Sequence, residues 1–346
     1  MAKEEKPVPA ETLASQVRKN LAKEIEAIRD PGIRAQAEKR LAEAIEGLQE
    51  AAPKAHVTQK GVIDFLSDWA ASRRSASRER AGQRAHEGIH IDAFGFDRAY
   101  WRRVEPLFAY LYENYWRVET SGIEHVPTEG RTLLVANHSG ILPWDALMLR
   151  EAVEKEHPAQ RHVRPLIEDY TATMPFLGPF LRRVGITRAD QQNAERLLND
   201  EKLVAIFPEG IQGIVKPYRE RYRLRRFGRG GLVKLAIRTR SPVVPVAIVG
   251  GDEIYPVIGQ SPWLGKVLGL PTLPLTPLFP WLGAAGLVPL PSKWFIRFGP
   301  PIDLAKLGKK ALDDEILVNR LNEEVRSKVQ DLVYEVIRER RSAWLG

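Results

Sequence analysis

The sequence RTLLVANHSGILPWD, residues 131–145, contains an apolar segment that ends abruptly in loop-forming residues. Thr132 to Ala136 is a short, partly β-branched apolar run, which is typical of a buried strand. Asn137-His138-Ser139-Gly140 follows it with residue types that favour turns and loops. The strand therefore places His138 at the edge of a predicted sheet.

A carboxylate follows this histidine in the same region. Pro143 suits the first position of a helix, and Asp145 then falls in the first turn of an apolar helix that extends to Val153. An imidazole paired with a carboxylate is held in one tautomer and accepts a proton more readily, as a general base requires. The alternative is a structural role, in which His138 ends the strand and Asp145 complements the helix dipole.

Further segments predict an α/β fold. Leu203 to Phe207 is a second apolar run that ends in Pro208-Glu209-Gly210, and an amphipathic helix over 190–200 precedes it. This alternation is typical of a central, mostly parallel or mixed sheet flanked by helices. The other predicted elements are strands over 243–249 and 294–298 and a closing amphipathic helix over 313–341.

Four blocks of sequence occur in an order that is known from one family. They are NHSGILPWD (137–145), GITR (185–188), FPEG (207–210) and VVPVAI (243–248). In this order they resemble the phospholipid and glycerol acyltransferases, the PlsC-like or lysophospholipid acyltransferase family, over about residues 95–303. The stretch RFGRGGLVKLAIRTRSPVVPVAIVGGDE (226–253) is most similar to bacterial and plastid relatives of the diacylglycerol and phytyl-ester acyltransferases.

The resemblance implies a fold, a reaction and a set of site residues. The implied fold is that of the glycerolipid acyltransferases. The implied reaction moves a fatty acyl group from acyl-CoA or acyl carrier protein to a hydroxyl of a glycerolipid or lysophospholipid. His138 would be the general base and Asp145 would orient it, with no covalent intermediate, no metal and no cofactor beyond the thioester donor. The residues expected to bind the acceptor are Asn137, Arg188, Glu209 and Gly210.

The loop after the first strand is longer than the family's usual one. Six residues separate His138 from Asp145, whereas the family usually has four. A catalytically inactive, acyltransferase-like lipid-binding protein is therefore an alternative. If Gly140 and Pro143 shape the longer loop, the two side chains should still meet within about 3.2 Å.

The third block also departs from one branch of the family. Lysophosphatidic-acid acyltransferases commonly continue Glu-Gly-Thr-Arg-Ser, whereas this chain continues Glu209-Gly210-Ile211-Gln212-Gly213. The missing arginine disfavours a phosphate-bearing acceptor. A serine hydrolase that uses Ser139 is another alternative, but the chain has no G-x-S-x-G nucleophile elbow.

A basic run follows the third block. KPYRERYRLRRFGR, residues 216–229, contains seven cations and one carboxylate. Interleaved aromatic and basic residues also occur at nucleic-acid surfaces, but no helix-turn-helix, zinc-finger or RNA-binding motif accompanies them. We therefore predict that Lys216, Arg219 and Arg229 bind the phosphates of coenzyme A or of lipid headgroups.

The net charge and the absence of cysteine limit the classes of binding partner and of site that this chain can have. The 346-residue chain has a formal net charge of +8, which favours anionic partners, and it lacks the cysteines that a disulfide or thiolate site needs. We find no signal peptide, and the prolines spaced through the uncharged run 267–292 exclude a regular transmembrane helix there. The expectation is a cytoplasmic protein, peripheral on the inner face of the membrane and without a nucleic-acid partner.

The first 90 residues have a different pattern. Residues 11–50 predict a charged helical hairpin, and a flexible linker then extends to about residue 90. The acyltransferase domain is expected over 91–346. A solvated face is the simplest interpretation of the hairpin, and homodimer formation through its helices is the alternative.

The segment from Phe94 to Val118 is dense in aromatic residues. Tyrosine and tryptophan suit surfaces with one apolar and one wet side, including the membrane interface. Two interpretations remain open for this segment, a helix that lies on lipid and a helix that packs on the domain core.

Overall fold

The computed structural model describes residues 91–168, 177–267, 272–304 and 306–344. The predicted helical hairpin and linker lie outside these residues. Among the described residues, 278–288 belong to a separate compact unit, which contains a 3₁₀ turn over Gly283–Leu287. The remaining described residues form the unit that carries the predicted site.

A seven-stranded sheet forms the centre of this unit. Its strand order is β1-β9-β6-β2-β5-β3-β4, and all neighbours are parallel except β6 and β9. A separate antiparallel pair consists of β7 and β8. The strands are β1 (Glu119–Ser121), β2 (Thr132–Ala136), β3 (Val163–Ile167), β4 (Thr187–Arg188), β5 (Leu203–Ile206), β6 (Val243–Val249), β7 (Gly259–Ser261), β8 (Leu273–Leu275) and β9 (Phe295–Phe298).

Helices connect most of the strands. Asp97, Asp190 and Asp314 cap three of them by accepting a backbone hydrogen bond from the first turn. The helices are α1 (Arg98–Tyr110), α2 (Trp144–Glu156), α3 (Leu177–Arg183), α4 (Gln191–Asn199), α5 (Ile211–Ile214), α6 (Gly231–Thr239), α7 (Pro262–Val267) and α8 (Glu315–Glu339). Among the described helices, none is long and apolar enough to cross a bilayer.

Both faces of the sheet are covered by helices. Successive side chains of a strand point to opposite faces, and β2 shows this directly. Leu134 packs in one buried cluster together with residues of α1 and α2, whereas Leu133 packs in a second cluster with residues of α4, α6 and α8. The structure therefore confirms the predicted α/β class, with a mixed sheet between helical layers.

The aromatic segment that precedes β1 packs largely on the core. Trp101, Phe108, Tyr112 and Trp116 are buried, and the Trp116 ring stacks on Trp294 with centroids 4.9 Å apart. These side chains have no surface to offer to lipid. The structure favours core packing over the membrane interpretation of this segment.

The proline-rich segment differs from one expectation. The spacing of prolines 271, 274, 277 and 280 is typical of a polyproline II helix, and an irregular loop folded on the core is the alternative. Pro271 lies outside the described residues. Leu273–Leu275 instead forms β8, and Pro274 lies opposite Gln260 of β7. A two-stranded pair consists of edges alone, where a proline without an N–H is tolerated.

The sheet topology determines where the predicted site residues lie. Because β6, β2, β5, β3 and β4 are parallel neighbours, their carboxyl ends meet at one edge. The residues that follow these strands include His138, Glu168 and Glu209, and Arg188 ends β4. This is the edge at which open α/β sheets generally bind ligands.

Candidate active site

His138 and Asp145 form a buried pair. Nδ1 of His138 lies 2.6 Å from Oδ2 of Asp145, and the Asp145 side chain is fully buried. The carboxylate also accepts hydrogen bonds from the backbone N–H groups of Ser139, at 3.0 Å, and Ala146, at 2.8 Å. Because a carboxylate only accepts, Nδ1 carries the proton, and Nε2 retains the lone pair with which it could accept one.

The loop between the two residues closes the longer gap. Gly140 adopts φ +84°, a left-handed conformation that favours glycine. The Trp144 N–H then donates to the Leu142 carbonyl at 2.7 Å, and α2 begins at Trp144. Pro143 therefore immediately precedes the helix, whereas the prediction placed it as the first helical residue. The expectation that His138 and Asp145 meet within about 3.2 Å is confirmed.

His138 also contacts residues of the segment 207–213. Its backbone N–H donates to Glu209 Oε1 at 3.0 Å, and its ring lies 4.9 Å from the Phe207 ring, centroid to centroid. Gly213 of α5 lies so close that a methyl group there would be 3.0 Å from both the Cβ and the carbonyl oxygen of His138. The imidazole therefore has a fixed position before any substrate arrives.

The electrostatic surroundings of His138 favour its protonated form. Burial is the largest single influence and lowers the pKa of the imidazole. The charge and hydrogen bond of Asp145, together with the charges of Glu168 and Glu209, outweigh burial and raise this pKa above its ordinary value of 6.5. Such a group is a stronger proton acceptor than an isolated imidazole.

Glu209, which is predicted to bind the acceptor, and Lys216, which is predicted to bind phosphate, form a buried ion pair. Glu209 is buried, and its Oε2 accepts hydrogen bonds from Lys216 Nζ at 3.2 Å and from the Arg225 N–H at 2.7 Å. Lys216 is itself buried, so its ammonium neutralises Glu209 and does not face solvent phosphates. Because a buried charge needs a partner, the two residues brace the His138 loop.

The side chain of Asn137, which is predicted to bind the acceptor, bonds to the backbone of β6. Its side-chain N–H donates to the Ile248 carbonyl at 2.8 Å, and its side-chain oxygen accepts from the Ile248 N–H at 2.7 Å. The amide thus pairs with β6 just beyond the last residue of β2. These two hydrogen bonds fix the backbone position of the residue before His138.

Glu168 is a site residue that the sequence interpretation missed. It follows β3 and lines a small cavity of about 10 Å³ together with His138, the loop 140–143 and Ile214. Glu168 Oε2 is buried and has no hydrogen-bond partner among the described residues. Gly210 permits this position, because a Cβ there would lie 2.4 Å from Glu168 Oε1. An apolar run followed by an acidic residue was the only available signal.

Comparison with known proteins agrees with this geometry. A family model described as Acyltransferase matches residues 117–249, which contain all four sequence blocks. An uncharacterized protein of Mycobacterium tuberculosis (strain ATCC 25618 / H37Rv) is 44% identical over 265 residues, which cover 76% of this chain and 74% of the relative. An uncharacterized protein of Mycobacterium leprae (strain TN) is also 44% identical, over 76% of this chain and 72% of that one. The chain belongs to the acyltransferase family.

Two more distant matches have names that refer to lipid enzymes. The acyltransferase is 23% identical over 239 residues to a Gallus gallus protein called DGAT1/2-independent enzyme synthesizing storage lipids, covering 67% of this chain and 65% of that one. A crystal structure of the 1-acyl-sn-glycerophosphate acyltransferase PlsC from Thermotoga maritima aligns with a TM-score of 0.43 and 19% identity, over 70% and 80% of the two chains.

The predicted arginines of the acyltransferase lie on its surface. Arg188 is exposed at the end of β4 and lines a cleft of about 540 Å³ together with Asp92, Phe94 and Arg182. The Arg219 side chain is 84% exposed, and Arg229 is exposed on the turn before α6. Lys216 is buried whereas Arg219 and Arg229 are exposed, so the three residues predicted to bind phosphate do not share one surface.

Two more acidic residues follow β6 at the same edge. Burial, together with the charges of Glu253, Glu209 and Asp145, raises the pKa of Asp252 to about 7, although Lys216 opposes the shift. Glu253 is buried, and its Oε1 accepts hydrogen bonds from Tyr222 and, at 2.7 Å, from Arg340. Neither residue was singled out from the sequence as part of the site.

The acyltransferase does not use Ser139 as a hydrolase would. Ser139 Oγ is buried and has no hydrogen-bond partner among the residues that the structure describes. It lies against Gly251, where an added Cβ would be 2.2 Å away. It is therefore not bonded to His138. Within the same described ranges, no group of three or more histidine or acidic residues is arranged to hold a metal ion.

Proposed function

We propose that this acyltransferase moves a fatty acyl group from a thioester donor, acyl-CoA or acyl carrier protein, to a hydroxyl of a glycerolipid. His138 removes the proton of the hydroxyl through Nε2 while the oxygen attacks the thioester carbonyl. Asp145 holds the reactive tautomer and stabilises the imidazolium. The observation that carries this proposal is the buried 2.6 Å hydrogen bond between the two side chains.

The reaction proceeds without a covalent enzyme intermediate. The carbon–oxygen bond to the acceptor forms and the carbon–sulfur bond of the donor breaks, and His138 returns its proton to the departing thiolate. Two observations support this route. The chain has no cysteine, and Ser139 is not bonded to His138.

The acceptor is a glycerolipid whose reacting hydroxyl has no phosphate beside it. Asp145, Glu168 and Glu209 all act electrostatically on His138, so a phosphate dianion at this position would be repelled. The positive charge of Lys216 is already paired with Glu209. Diacylglycerol and monoacylglycerol fit this requirement better than lysophosphatidate or another lysophospholipid does.

Mass spectrometry of lipid products tests the proposal. The purified full chain is incubated with acyl-CoA, or with acyl carrier protein as the alternative donor, and with a panel of diacylglycerol, monoacylglycerol, long-chain alcohol and lysophosphatidate. We expect an acyl ester on a neutral acceptor, and no product from the His138→Ala variant. If lipids bind but no ester forms with any acceptor or donor, the inactive lipid-binding alternative replaces the enzyme.

The site of action proposed here is the inner surface of the membrane, where the acyltransferase is peripheral. A net charge of +8 supports attraction to anionic lipid. We also propose that residues 91–346 form the catalytic domain. The N-terminal hairpin would then lie outside it and could join two copies of the chain in a homodimer. Vesicle sedimentation and the oligomeric state of chains with and without residues 1–90 test these points.

A further inference from the structure

Two large apolar side chains are exposed near the β7–β8 pair. Ile258 is 64% exposed and Trp263, in the first turn of α7, is 71% exposed. An exposed tryptophan in a folded chain is a candidate contact for another surface. The aromatic residues expected to meet lipid, such as Trp101 and Trp116, are buried instead.

These side chains are held on a defined backbone. The Ile258 N–H donates to the Leu275 carbonyl at 2.8 Å, and β7 pairs with β8 directly after it. In α7, Gly265 packs so closely on Thr272 that a Cβ there would be 2.5 Å from the Thr272 Cα. Ile258 and Trp263 are therefore presented by paired backbone rather than by an isolated loop.

Arginines of the basic run flank this position. The Tyr218 N–H donates to the Val257 carbonyl at 2.8 Å, which places the turn with Arg219 beside Ile258. The Arg219 side chain is 84% exposed, and Arg223 is exposed in the same turn. Glu220 of this turn pairs with Arg225 at 2.9 Å and also lies 3.8 Å from Arg219 Nε, so one carboxylate is shared by two arginines and the turn keeps a net positive charge.

The same chain segment leads to the active site. Tyr255 lies against the His138–Asp145 loop, because a Cβ at Gly140 would be 3.6 Å from its ring and Trp144 Nε1 donates to its hydroxyl at 3.0 Å. Three residues of extended chain, from Tyr255 to Ile258, span at most about 10 Å. A lipid held at Ile258 is therefore within about one lipid length of the catalytic loop.

We propose that Ile258, Trp263 and Arg219, here called the docking patch, seat the acyltransferase on an anionic bilayer and deliver its lipid acceptor. The combination suits the bilayer surface, because tryptophan and isoleucine enter the interface while arginine meets the phosphates. The net charge of +8 favours the same partner at long range. This inference rests on the proposed function in one respect, that the acceptor is a membrane lipid.

Vesicle sedimentation with matched variants tests the apolar part. The variant Ile258→Ser/Trp263→Ser should partition onto vesicles of phosphatidylcholine and phosphatidylglycerol at least about tenfold less than the unaltered chain, since each buried side chain is worth more than one factor of ten. The control is Ile316→Ser on α8, which removes an isoleucine like Ile258 that is 84% exposed but lies outside the docking patch. Its partition should not change.

The charged part has its own pair of variants. Arg219→Glu and Arg320→Glu alter the net charge equally, and Arg320 is an exposed residue of α8 outside the docking patch. Binding to anionic vesicles should fall several-fold more for Arg219→Glu, and the difference should shrink as salt is raised. Equal losses for the two variants would reduce the effect to net charge and overturn the role of Arg219.

A second measurement separates this inference from the proposed reaction. With acceptor and donor supplied in water-soluble, short-chain form, Ile258→Ser/Trp263→Ser should keep its turnover while losing only the vesicle-dependent rate. Unchanged vesicle partition would overturn the inference, and loss of self-association in its place would assign the docking patch to a contact between copies of the chain. If the unaltered chain shows no turnover but its partition still depends on the docking patch, the proposed reaction fails and the docking inference stands.

Discussion

Nδ1 of His138 donates a 2.6 Å hydrogen bond to Asp145, although six residues separate the two in the chain. The left-handed backbone of Gly140 and the helix start at Trp144 turn the loop back on itself. A longer loop than the family's usual one thus reaches the same pairing. The unusual spacing that motivated an inactive scaffold no longer argues for one.

Replacing the general base should abolish turnover. His138→Ala should lower the rate by about 10²- to 10⁴-fold or more, because the variant loses the imidazole that takes the proton from the acceptor. The fold should remain, since the residue lies in a loop. The initial rate of ester formation and the thermal midpoint are the two measurements.

The control for this variant is His162→Ala. His162 is half-exposed and precedes β3, so it lies at the opposite edge of the sheet. It should keep its turnover. Near-full turnover of His138→Ala would remove His138 from the mechanism.

Loss of the carboxylate next to His138 should be nearly as severe. Asp145→Asn should cut the rate by orders of magnitude, on the order of 10³- to 10⁴-fold, because an amide can neither hold the productive tautomer nor stabilise the imidazolium. The side-chain oxygen of asparagine can still accept a backbone hydrogen bond, so the loop should fold. Single-turnover rates alongside the melting curve check this, and an unchanged rate would disprove the pairing as a catalytic unit.

The pH dependence of the rate should report the carboxylate that faces the same cavity. Neutral imidazole is the active form, so kcat/KM falls as the pH drops through the His138 pKa. Glu168 contributes to raising that pKa. Glu168→Gln should therefore move the acidic limb of the profile to lower pH.

Exposed Glu124 provides the comparison for this shift. Glu124→Gln removes the same charge from a surface turn, and its profile should overlay that of the unaltered chain. A Glu168→Gln profile with the acidic limb in its original place would show that this carboxylate does not act on His138.

A single methyl group behind the histidine should also disturb the site. Gly213→Ala places a Cβ 2.9 Å from the Glu209 Cβ and 3.0 Å from the His138 Cβ, closer than such atoms normally approach. The loop must shift by a few tenths of an ångström, and turnover should fall at least about tenfold, since catalytic geometry is sensitive to small displacements.

Gly231→Ala is the matched substitution for this test. An added Cβ at Gly231 meets no atom within 4 Å, and this residue is the first of α6. Turnover should not change, and stability should rise slightly. Equal effects of the two substitutions would contradict the steric argument.

Stability should depend on pH through a carboxyl group on α2. Burial, together with the charges of Glu154 and Glu105, raises the pKa of Glu151 to about 8, and the side chain is only 1% exposed. A carboxyl group whose pKa is raised in the folded chain stabilises the fold below its unfolded pKa of 4.5, and this stability is lost as the pH rises towards 8.

The free energy of unfolding should therefore decrease by up to roughly 4 kcal/mol between pH 5 and 9. Glu151→Gln should flatten this decrease, and Glu129→Gln on the surface should not. Denaturant unfolding at several pH values measures both. Parallel pH curves for the unaltered chain and Glu151→Gln would contradict the raised pKa.

Local sequence patterns were sufficient to predict the main strands and the pairing of His138 with Asp145. The apolar run before Asn137 forms β2, and Asp145 lies in the first turn of the next helix, as predicted. These features depend on chain neighbours, so periodicity and turn chemistry reveal them. The identity of Glu209 as a site residue was equally visible, because the FPEG block contains it.

The roles of several residues depend on distant partners. Asn137 pairs with Ile248, which lies 111 positions away, so this contact could not be predicted from its chain neighbours. Glu209 lies seven positions from Lys216, but only the folded loop shows that the two share a buried ion pair. Glu168 was missed because no motif contains it and only the strand order brings it to His138.

Arg340 and Glu253 are 87 positions apart, and their 2.7 Å hydrogen bond joins the end of α8 to the loop after β6. The loop after β6 leaves the ribosome long before Arg340 does, and until then the principal counter-charge of Glu253 is missing. A carboxylate without its partner stays in water rather than entering the protein interior. The burial of Glu253, at the sheet edge that carries His138, therefore depends on a counter-charge that the chain supplies 87 positions later.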